Sequence, residues 1–434
     1  MKLLLKGGRI IDPSQDMDER SDVLIDKGRV ARIAKDMSLS RNKGGGSTQI
    51  IDLEGAIVAP GLIDMHTHLR EPGFEYKETI RTGAAAAVAG GFTAVACMAN
   101  TNPVNDNRSV TDFILRQAAA AGLARVYPLA AVSKNLEGKQ LTEFNDLKEA
   151  GAVGLSDDGR PVISSGLMRQ ALEYAHSLSL PVISHCEDLG LSEGGAMNES
   201  FVSTDLGLPG IPSISEDIMV SRDIAIARYT GTAVHIAHVS TAESVEMIRR
   251  AKREGVAVTA ETAAHYFTLT DESLRGYSTN FKVSPPLRGA RDRDAVRQGL
   301  RDGTIDAIAS DHAPHASMEK DVEFALAAFG MIGLETSLAL SLALVGQGII
   351  TMGRLIELMS LNPSRILRIP GGSLREGSIA DVTVIDPERE WTVDPSTFRS
   401  KSRNCPFEGR RLTGKAVLTI VGGKILYRDA EFLP

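Results

Sequence analysis

Eight short apolar runs, separated by alanine-rich stretches typical of helices, constrain the fold of this 434-residue chain more than any other feature. Such alternation is typical of βα units whose strands lie parallel to one another. Eight consecutive units match the α/β class and the closed (β/α)8 barrel of the TIM type. We predict its strands within residues 62–68, 93–100, 125–132, 152–159, 181–188, 233–240, 257–265 and 306–315.

A doubly wound open sheet is the alternative to the barrel. That fold usually carries a glycine-rich phosphate-binding turn directly after its first strand. Here the first predicted strand lies within GLIDMHTHLR, residues 61–70, which contains histidines and no such turn. We therefore prefer the barrel.

The two ends of the chain have another pattern, in which apolar runs alternate with glycine turns. LLLKGGRII at 3–11 and DVLIDKGRVARIA at 22–34 predict two hairpins. VLTIVGGKILYRD at 417–429 predicts a third, and 377–386 contains a further strand. Residues 42–48, NKGGGST, have the composition of a flexible loop.

The similarity of these end segments indicates that both belong to one small β-sandwich domain. The barrel would then be inserted between its two halves. The predicted bounds are 1–58 for the N-terminal part of the sandwich, 59–369 for the barrel and 370–434 for the C-terminal part of the sandwich.

Composition and charge narrow the class of function. The formal charge is −7 and there is no basic stripe, so we expect no nucleic-acid partner. No run approaches the ~20 apolar residues of a membrane span. The apolar run in MKLLLKGG is only LLL, too short for a signal peptide, so we expect none. Three cysteines, an odd and sparse set, indicate a reduced, cytoplasmic protein. An anionic small molecule would need its own local cations.

Nearly every predicted strand ends in a residue that can bind or react. A barrel brings the C-terminal ends of its strands to one face, where barrel enzymes have their active sites. Residues distant in sequence are therefore expected to converge there: His66, His68, Asn100, Asp157, Asp158, His185, His238, His265 and Asp311.

These residue types indicate a metal site. His66 and His68 are two apart, so both can point to one side of a strand and share an ion. Imidazole suits zinc and similar divalent metals. A lone His-x-His would be read as a polar strand end, but His185, His238 and several carboxylates end other strands. That set exceeds the three protein ligands usual at one catalytic zinc, and a two-metal site would use all of it.

Strand parity separates the neighbouring candidates. His235 is three residues before His238, so we expect it to face the other way as a structural histidine. Cys186 is expected in the core and His176 in solvent, while His265 is expected to support the site. Spacing alone does not separate Asp157 from its neighbour Asp158.

A series of longer motifs runs along the chain in a fixed order: GLIDMHTHLREPG, MANTNP, GLSDDG, SHCED, HIAHVST, PPLR, SDHAPH, AFGMIGLET, NPSRIL and NCPFEGRRLTGK. On these motifs the chain resembles the long bacterial type of dihydroorotases, in the amidohydrolase superfamily, over essentially its whole length. It resembles the subgroup in which an aspartate, and not a carbamylated lysine, bridges two metals, which argues against hydantoinase and dihydropyrimidinase.

The resemblance implies a cofactor of two divalent metal ions, for which we expect zinc. It assigns one ion to His66, His68, Asp158 and Asp311, and the other to Asp158, His185 and His238. It also implies that Asp311 is the catalytic residue that moves the proton. The substrate contacts it implies are Arg70, Asn100 and His315 for a carboxylate, the backbone of Phe329 and Gly330 for a ring, and Ser284, where the family commonly has asparagine.

The reaction implied is the reversible, metal-dependent interconversion of dihydroorotate and N-carbamoyl-L-aspartate in pyrimidine synthesis, with residues 312–330 able to close over the site. Allantoinase or another cyclic amidase is the alternative enzyme. A non-catalytic subunit of an aspartate carbamoyltransferase assembly is the alternative of another class. A homodimer and an aspartate carbamoyltransferase partner are both left open.

Overall fold

A computed structural model of the chain describes residues 2–37 and 48–430, and the statements below concern these residues. Except for Thr48, the predicted loop 42–48 lies outside them. The strands are β1 (Lys2–Lys6), β2 (Arg9–Asp12), β3 (Met17–Arg20), β4 (Asp22–Asp26), β5 (Arg29–Ala34), β6 (Thr48–Asp52), β7 (Ile57–Pro60), β8 (Leu62–Thr67), β9 (Phe92–Cys97), β10 (Arg125–Ala130), β11 (Gly154–Leu155), β12 (Ile183–Ser184), β13 (Met197–Asn198), β14 (Gly210–Ile211), β15 (Val234–Ile236), β16 (Val258–Ala263), β17 (Ala307–Ala309), β18 (Val382–Thr392), β19 (Arg411–Val421) and β20 (Lys424–Arg428).

Helices follow the barrel strands and cover the outside of the barrel. One turn of π-helix, Glu357–Leu361, joins the last two of them. The α-helices are α1 (Ile80–Ala89), α2 (Arg108–Ala121), α3 (Phe144–Ala150), α4 (Ser165–Ser177), α5 (Leu189–Ser192), α6 (Phe201–Leu206), α7 (Ile214–Thr230), α8 (Ala242–Arg253), α9 (Ala290–Asp302), α10 (Ser317–Lys320), α11 (Ser337–Gly346), α12 (Met352–Ile356) and α13 (Asn362–Leu367).

All eight predicted barrel strands are present and parallel. They form two arrays of four, β8–β9–β10–β11 and β12–β15–β16–β17. Parallel bridges between Leu155 and Val182, and between Thr67 and His312, join the arrays on both sides. The sheet therefore closes on itself, which confirms the predicted (β/α)8 barrel and excludes the open sheet.

Helix α2 shows how the sequence sets these elements. Asn107 precedes it, and its side chain accepts hydrogen bonds from the backbone N–H groups of Ser109 and Val110. Val110 and Ile114, four residues apart, are buried against the barrel. The helix ends where Gly122 adopts a φ of 63°.

The barrel interior is filled mainly by small side chains. Alanines 94, 96, 237, 307 and 309 form one buried cluster there with larger residues such as Ile63 and Met65. The outer faces of the strands contribute to a second cluster with the helices. Small residues inside the barrel leave space for large polar side chains near the strands' C-terminal ends.

The two chain ends form the predicted β-sandwich. One sheet has the order β5–β4–β1–β6 and the other β20–β19–β18–β7–β2–β3, so the second combines strands from both ends. Buried residues of both sheets form one cluster between them. The hairpins predicted at 22–34 and 417–429 are confirmed as β4–β5 and β19–β20. The domain bounds given above stay a prediction.

The hairpin predicted at 3–11 is wrong. Strand β1 pairs with β4 and β6, whereas β2 pairs with β3 and β7 in the opposite sheet. Gly7, with a φ of 76°, turns the chain between the sheets. A side chain at Gly8 would bring its Cβ to 2.7 Å from the Cγ2 atom of Val58. The Gly-Gly pair therefore forms a corner of the sandwich.

The segment after β12 contains structure that the sequence pattern did not predict. Two short parallel strands, β13 and β14, and two short helices, α5 and α6, precede the expected helix α7. Separately, none of the described helices is both long enough and apolar enough to span a membrane.

Candidate metal centre and substrate cavity

Asp158 lies at the centre of a buried cluster of histidines at the C-terminal end of the barrel. Its carboxylate oxygens are 3.4 Å from Nε2 of His66 and 3.5 Å from Nε2 of His68. They are also 3.3 Å from Nδ1 of His185 and 3.3 Å from Nε2 of His238. The five residues form two groups that could each hold a metal ion, and Asp158 is the member that both share.

Asp311 borders the same cluster. Its Oδ1 atom is 3.3 Å from Nε2 of His68 and 3.6 Å from Nε2 of His66. The structure thus brings together all six residues expected to be metal ligands.

The alternation of side chains along a strand does not explain how all six of these side chains come to face the site. Strand β15 ends at Ile236 and β17 at Ala309, before His238 and Asp311. Both of these residues, like Arg70, have a positive φ, at 34°, 47° and 64° respectively. Left-handed backbone at such positions is uncommon for residues other than glycine. It turns these side chains into the site just beyond the strand ends.

The two carboxylates of the cluster, on Asp158 and Asp311, stabilise positive charge close to them. Burial alone would raise the pKa of Asp158, but the nearby imidazoles, His66 first, hold that pKa well below its ordinary value. Burial also opposes ionisation of Asp311, yet His68 and His66 lower its pKa to about 2. Both carboxyl groups are therefore anions at neutral pH. Burial would lower the pKa of His66, but Asp158 and Glu261 raise it well above its ordinary value.

The donor atoms fit a divalent cation. Nε2 of His66 is buried, faces Asp158 and has no hydrogen-bond partner among the described residues. Nδ1 of His185 and Nε2 of His238 are only 2.7 Å apart, so two imidazoles converge on one point. Imidazole nitrogens together with carboxylates form a donor set typical of zinc and related metals.

Three further side chains orient these imidazoles, a role that no sequence pattern predicted for them. Oε1 of Glu261 lies 2.6 Å from Nδ1 of His66. Oε2 of Glu187 lies 3.0 Å from Nε2 of His185. Oδ1 of Asn100 lies 3.0 Å from Nδ1 of His68. Each accepts a hydrogen bond from one ring nitrogen and leaves the other nitrogen free for a metal. A glutamate inside the apolar strand β16 was the available signal for Glu261, because buried charges need partners.

The structure separates Asp157 from Asp158. Asp157 turns away from the histidines and accepts hydrogen bonds from the backbone N–H groups of Val132 and Ser133, at 2.7 and 3.0 Å. The Ser133 hydroxyl also donates to it. Asp157 therefore ties the end of β10 to the end of β11, while its neighbour enters the metal groups.

The remaining histidines and the neighbouring cysteine lie outside both metal groups. His235 is buried with Nδ1 at 2.8 Å from Oγ1 of Thr259, as expected of a structural residue. Its Nε2 is 3.6 Å from Glu261, so it lies next to the site through that carboxylate. His265 is buried beside Tyr266, Cys186 is in the core, and His176 is exposed on α4.

A cavity of about 410 Å³ opens onto the cluster, within the size range of small-molecule sites. Its lining includes the metal candidates His68, Asp158, His185, His238 and Asp311. Segments of the unpredicted insertion after β12 form part of its wall. All six residues expected to contact substrate also line it: Arg70, Asn100, Ser284, His315, Phe329 and Gly330.

One wall of the cavity is cationic. A terminal nitrogen of Arg70 is 3.3 Å from Nε2 of His315, and Nζ of Lys77 is 3.4 Å from Nδ1 of the same ring. Burial, with these two cations, lowers the pKa of His315 to about 3, so the ring is neutral. Burial lowers the pKa of Arg70 to about 10, which leaves its guanidinium charged at neutral pH. An anion is the ligand that this wall would attract.

The backbone groups of Phe329 and Gly330 differ in availability. The N–H of Gly330 donates to the carbonyl of Lys282 at 2.9 Å. Its carbonyl accepts from Nζ of Lys320 at 2.9 Å and from Nδ2 of Asn404 at 3.1 Å. The N–H and carbonyl of Phe329 have no partner among the described residues. Of the pair, Phe329 therefore has the free groups, whereas those of Gly330 are occupied.

Comparison with known proteins agrees with this geometry. Residues 55–244 match the family described as Dihydro-orotase-like. The chain is 58% identical over 429 residues to the dihydroorotase of Syntrophus aciditrophicus (strain SB), covering 99% of this chain and 100% of that protein. It is 54% identical over 428 residues to the dihydroorotase of Geobacter metallireducens, with the same shares covered.

A solved structure with a similar fold is the L-hydantoinase (dihydropyrimidinase) of Arthrobacter aurescens, with a TM-score of 0.86 and 26% identity, covering 100% of this chain and 97% of that one. A barrel with a sandwich from both chain ends, and with two His/Asp groups at the barrel mouth, defines an amidohydrolase. With relatives more than 50% identical over their full length, this chain belongs to the dihydroorotase family.

Proposed function

We propose that this chain catalyses the reversible hydrolysis of dihydroorotate to N-carbamoyl-L-aspartate, a step of pyrimidine synthesis. The observation that carries the proposal is that one cavity contains both the His/Asp groups and the wall that the Arg70 guanidinium makes cationic, beside the neutral ring of His315. Dihydroorotate needs both, since it carries a carboxylate on the same ring as the amide that is hydrolysed. The dihydroorotase names of the full-length relatives support the same reaction.

We propose further that the site holds two zinc ions, which when bound would polarise the ring carbonyl and activate a water molecule. His66, His68, Asp158 and Asp311 would hold one ion. Asp158, His185 and His238 would hold the other, with Asp158 shared.

Asp311 is proposed to move the proton. As an anion beside His68, it can accept a proton from the attacking water. The new bond joins the water oxygen to the ring carbonyl carbon, and the bond from that carbon to the ring nitrogen breaks. Asp311 then delivers the proton to this nitrogen, which gives a ureido group and a carboxylic acid. The acid releases the second proton of the water to solvent and becomes a carboxylate at neutral pH. Ring closure uses the same steps in reverse.

The other side chains are proposed to hold the substrate. Arg70 can pair with the carboxylate through two N–H groups. Since Oδ1 of Asn100 accepts from His68, its Nδ2 remains to donate to the same carboxylate. The free N–H and carbonyl of Phe329 can meet the carbonyl and N–H of the ring. The Ser284 hydroxyl lines the cavity and has a shorter reach than an asparagine side chain.

Turnover of dihydroorotate by the purified protein tests the proposal, with allantoin as the comparison because it lacks a carboxylate. We expect ring opening of dihydroorotate only, loss of activity with a chelator, and recovery with zinc. Turnover of allantoin without turnover of dihydroorotate would contradict the proposal. The proposed metal ligands and substrate contacts all lie on this chain, so the assay uses the purified chain without aspartate carbamoyltransferase.

A further inference from the structure

Lys320 is a buried lysine whose ammonium group binds only backbone carbonyls among the described residues. It ends helix α10 and is 6% exposed. Its Nζ donates to the carbonyl of Ala328 at 2.7 Å and to that of Gly330 at 2.9 Å. A third, longer contact of 3.4 Å reaches the carbonyl of Lys282. The first two carbonyls lie on either side of Phe329.

Lys282 also contacts the segment that contains Phe329. Its Nζ donates to the carbonyls of Phe324 and Ala325, at 2.9 and 2.8 Å, and lies 4.4 Å from the centre of the Phe329 ring. Its own carbonyl accepts the N–H of Gly330. Two buried lysines therefore contact the backbone and ring around one cavity residue, Phe329.

We propose that Lys320 is a positioning residue, which by bridging the carbonyls of Ala328 and Gly330 holds the peptide groups of Phe329 at the cavity wall for the substrate ring. This inference rests on the proposed function and deepens it. It adds a residue that lies outside the cavity lining and acts through the backbone of another residue.

The physical reason is the match between donors and acceptors. An ammonium group has three N–H donors, and a buried one is unfavourable unless they are used. Here the acceptors are carbonyls of an irregular segment that lies outside any helix or strand between α10 and α11. Gly330 has a φ of 137°, and a Cβ there would lie 2.8 Å from that of Ala313, so the backbone passes close to the wall. The contact with Ala328 fixes the peptide plane that carries the N–H of Phe329, and the contact with Gly330 fixes the plane after Gly330. The plane between them, which carries the carbonyl of Phe329, is held by the hydrogen bond from the N–H of Gly330 to the carbonyl of Lys282.

The test is the variant Lys320→Met, which keeps the length and apolar stem of the side chain and removes its donors. Lys252→Met is the matched control, since Nζ of Lys252 also binds a carbonyl, that of Gly303 at 3.1 Å, far from the cavity, and pairs with Asp306. Measured quantities are kcat and KM for dihydroorotate, zinc content, and amide hydrogen exchange of residues 321–330.

In Lys320→Met we expect wild-type zinc content, a KM raised about tenfold with a smaller change in kcat, and faster exchange at 321–330. Lys252→Met should show none of these changes. Lys282→Met should raise KM less than Lys320→Met does, because its nitrogen holds carbonyls further from Phe329.

A folded Lys320→Met with wild-type KM and exchange would overturn the inference. So would equal losses in Lys252→Met, or a larger rise in KM in Lys282→Met. If Lys320→Met does not fold, the test passes to Lys282→Met. Wild-type KM and wild-type hydrogen exchange in Lys282→Met would then overturn the inference. If the wild type does not turn over dihydroorotate, the proposed function is refuted. The role of Lys320 in holding residues 321–330 would then be tested by hydrogen exchange alone.

Discussion

Oε1 of Glu261 lies 2.6 Å from Nδ1 of His66, and neither side chain has any exposed surface. The carboxylate accepts the Nδ1 proton of His66, so Nε2 is the nitrogen left to bind a metal. That Nε2 is buried, has no hydrogen-bond partner within residues 2–37 and 48–430, and faces Asp158. Glu261 therefore selects the form of His66 that can bind a metal.

The variant Glu261→Gln tests this relationship. A glutamine keeps the size of the side chain but removes the charge that favours the Nδ1–H form. We expect zinc affinity or activity to fall by about 10–100-fold, as is typical for such supporting groups. Competition between the protein and a chelator for zinc gives the affinity.

Glu78→Gln is the matched control for Glu261→Gln. Glu78 is also fully buried and lies 3.3 Å from His312, a histidine outside both metal groups. A similar loss of zinc affinity in both variants would show that any buried Glu–His pair has this effect, and would contradict the role assigned to Glu261.

Asp311→Asn should abolish proton transfer and leave the fold unchanged. Asparagine has nearly the same shape but cannot accept and return a proton. General acid–base catalysis is typically worth 10²–10⁴-fold, so we expect kcat to fall by at least about 100-fold with zinc in excess. Turnover above roughly a tenth of the wild-type rate would remove Asp311 from this step.

Arg70→Met should weaken the binding of dihydroorotate through its carboxylate. One hydrogen bond to a charged group contributes about 1.5–3 kcal/mol, so loss of the pair should lower kcat/KM by at least roughly 10–100-fold. Arg70→Lys should lose less, because the charge remains and only the paired geometry is lost. Steady-state kinetics measure both.

Dihydrouracil, which is dihydroorotate without its carboxylate, is the control substrate for the Arg70 variants. We expect it to be a poor substrate for the wild type and almost insensitive to either substitution. Equal losses on both substrates would mean that Arg70 supports the metal site or the fold.

Glu335→Gln should change how stability depends on pH. Burial raises the pKa of Glu335 from 4.5 to about 7, although the backbone N–H groups of Arg399 and Ser400 donate to its carboxylate. Below the unfolded-state pKa the group is protonated in both states and has no effect. As the pH rises from about 4.5 to about 7, the unfolded state releases its proton while the folded state keeps it, so stability falls; above about pH 7 the loss stays constant.

Glutamine keeps the acceptor and is never ionised. Glu335→Gln should therefore equal the wild type below about pH 4.5 and exceed it above about pH 7. The difference should be at most about 3 kcal/mol in the free energy of unfolding. Urea unfolding at several pH values measures it. A variant less stable than the wild type at about pH 8 would contradict the expectation.

The sequence predicted the barrel well because each strand is a local apolar run and each helix a local periodic pattern. It failed at residues 3–11, where KGGR has the same turn residues as the real hairpin at 417–429. Which strands a Gly-Gly turn pairs depends on the sheets around it. At Gly8 the close approach to Val58 requires glycine, and this contact between distant residues cannot be read from the local sequence.

The site residues show the same limit. Motifs named the ligand candidates, but spacing left Asp157 and Asp158 equivalent until hydrogen bonds to Ser133 occupied one of them. Strand periodicity also does not reach Arg70, because β8 ends at Thr67 and a φ of 64° turns the side chain inward. Lys320 has no signal in the sequence, since its partners are backbone carbonyls that any residues could supply.

The pairing of β7 with β18 has a consequence for synthesis on the ribosome. Residues 57–60 of one strand meet residues 382–385 of the other, more than 300 positions later. At ~5–20 residues per second, the nascent N-terminal strands wait roughly 15–60 s for their neighbour. During that interval β7 presents an unpaired edge, the kind of surface that invites pairing with other chains. We expect the growing polypeptide to depend on chaperones until its last strands emerge.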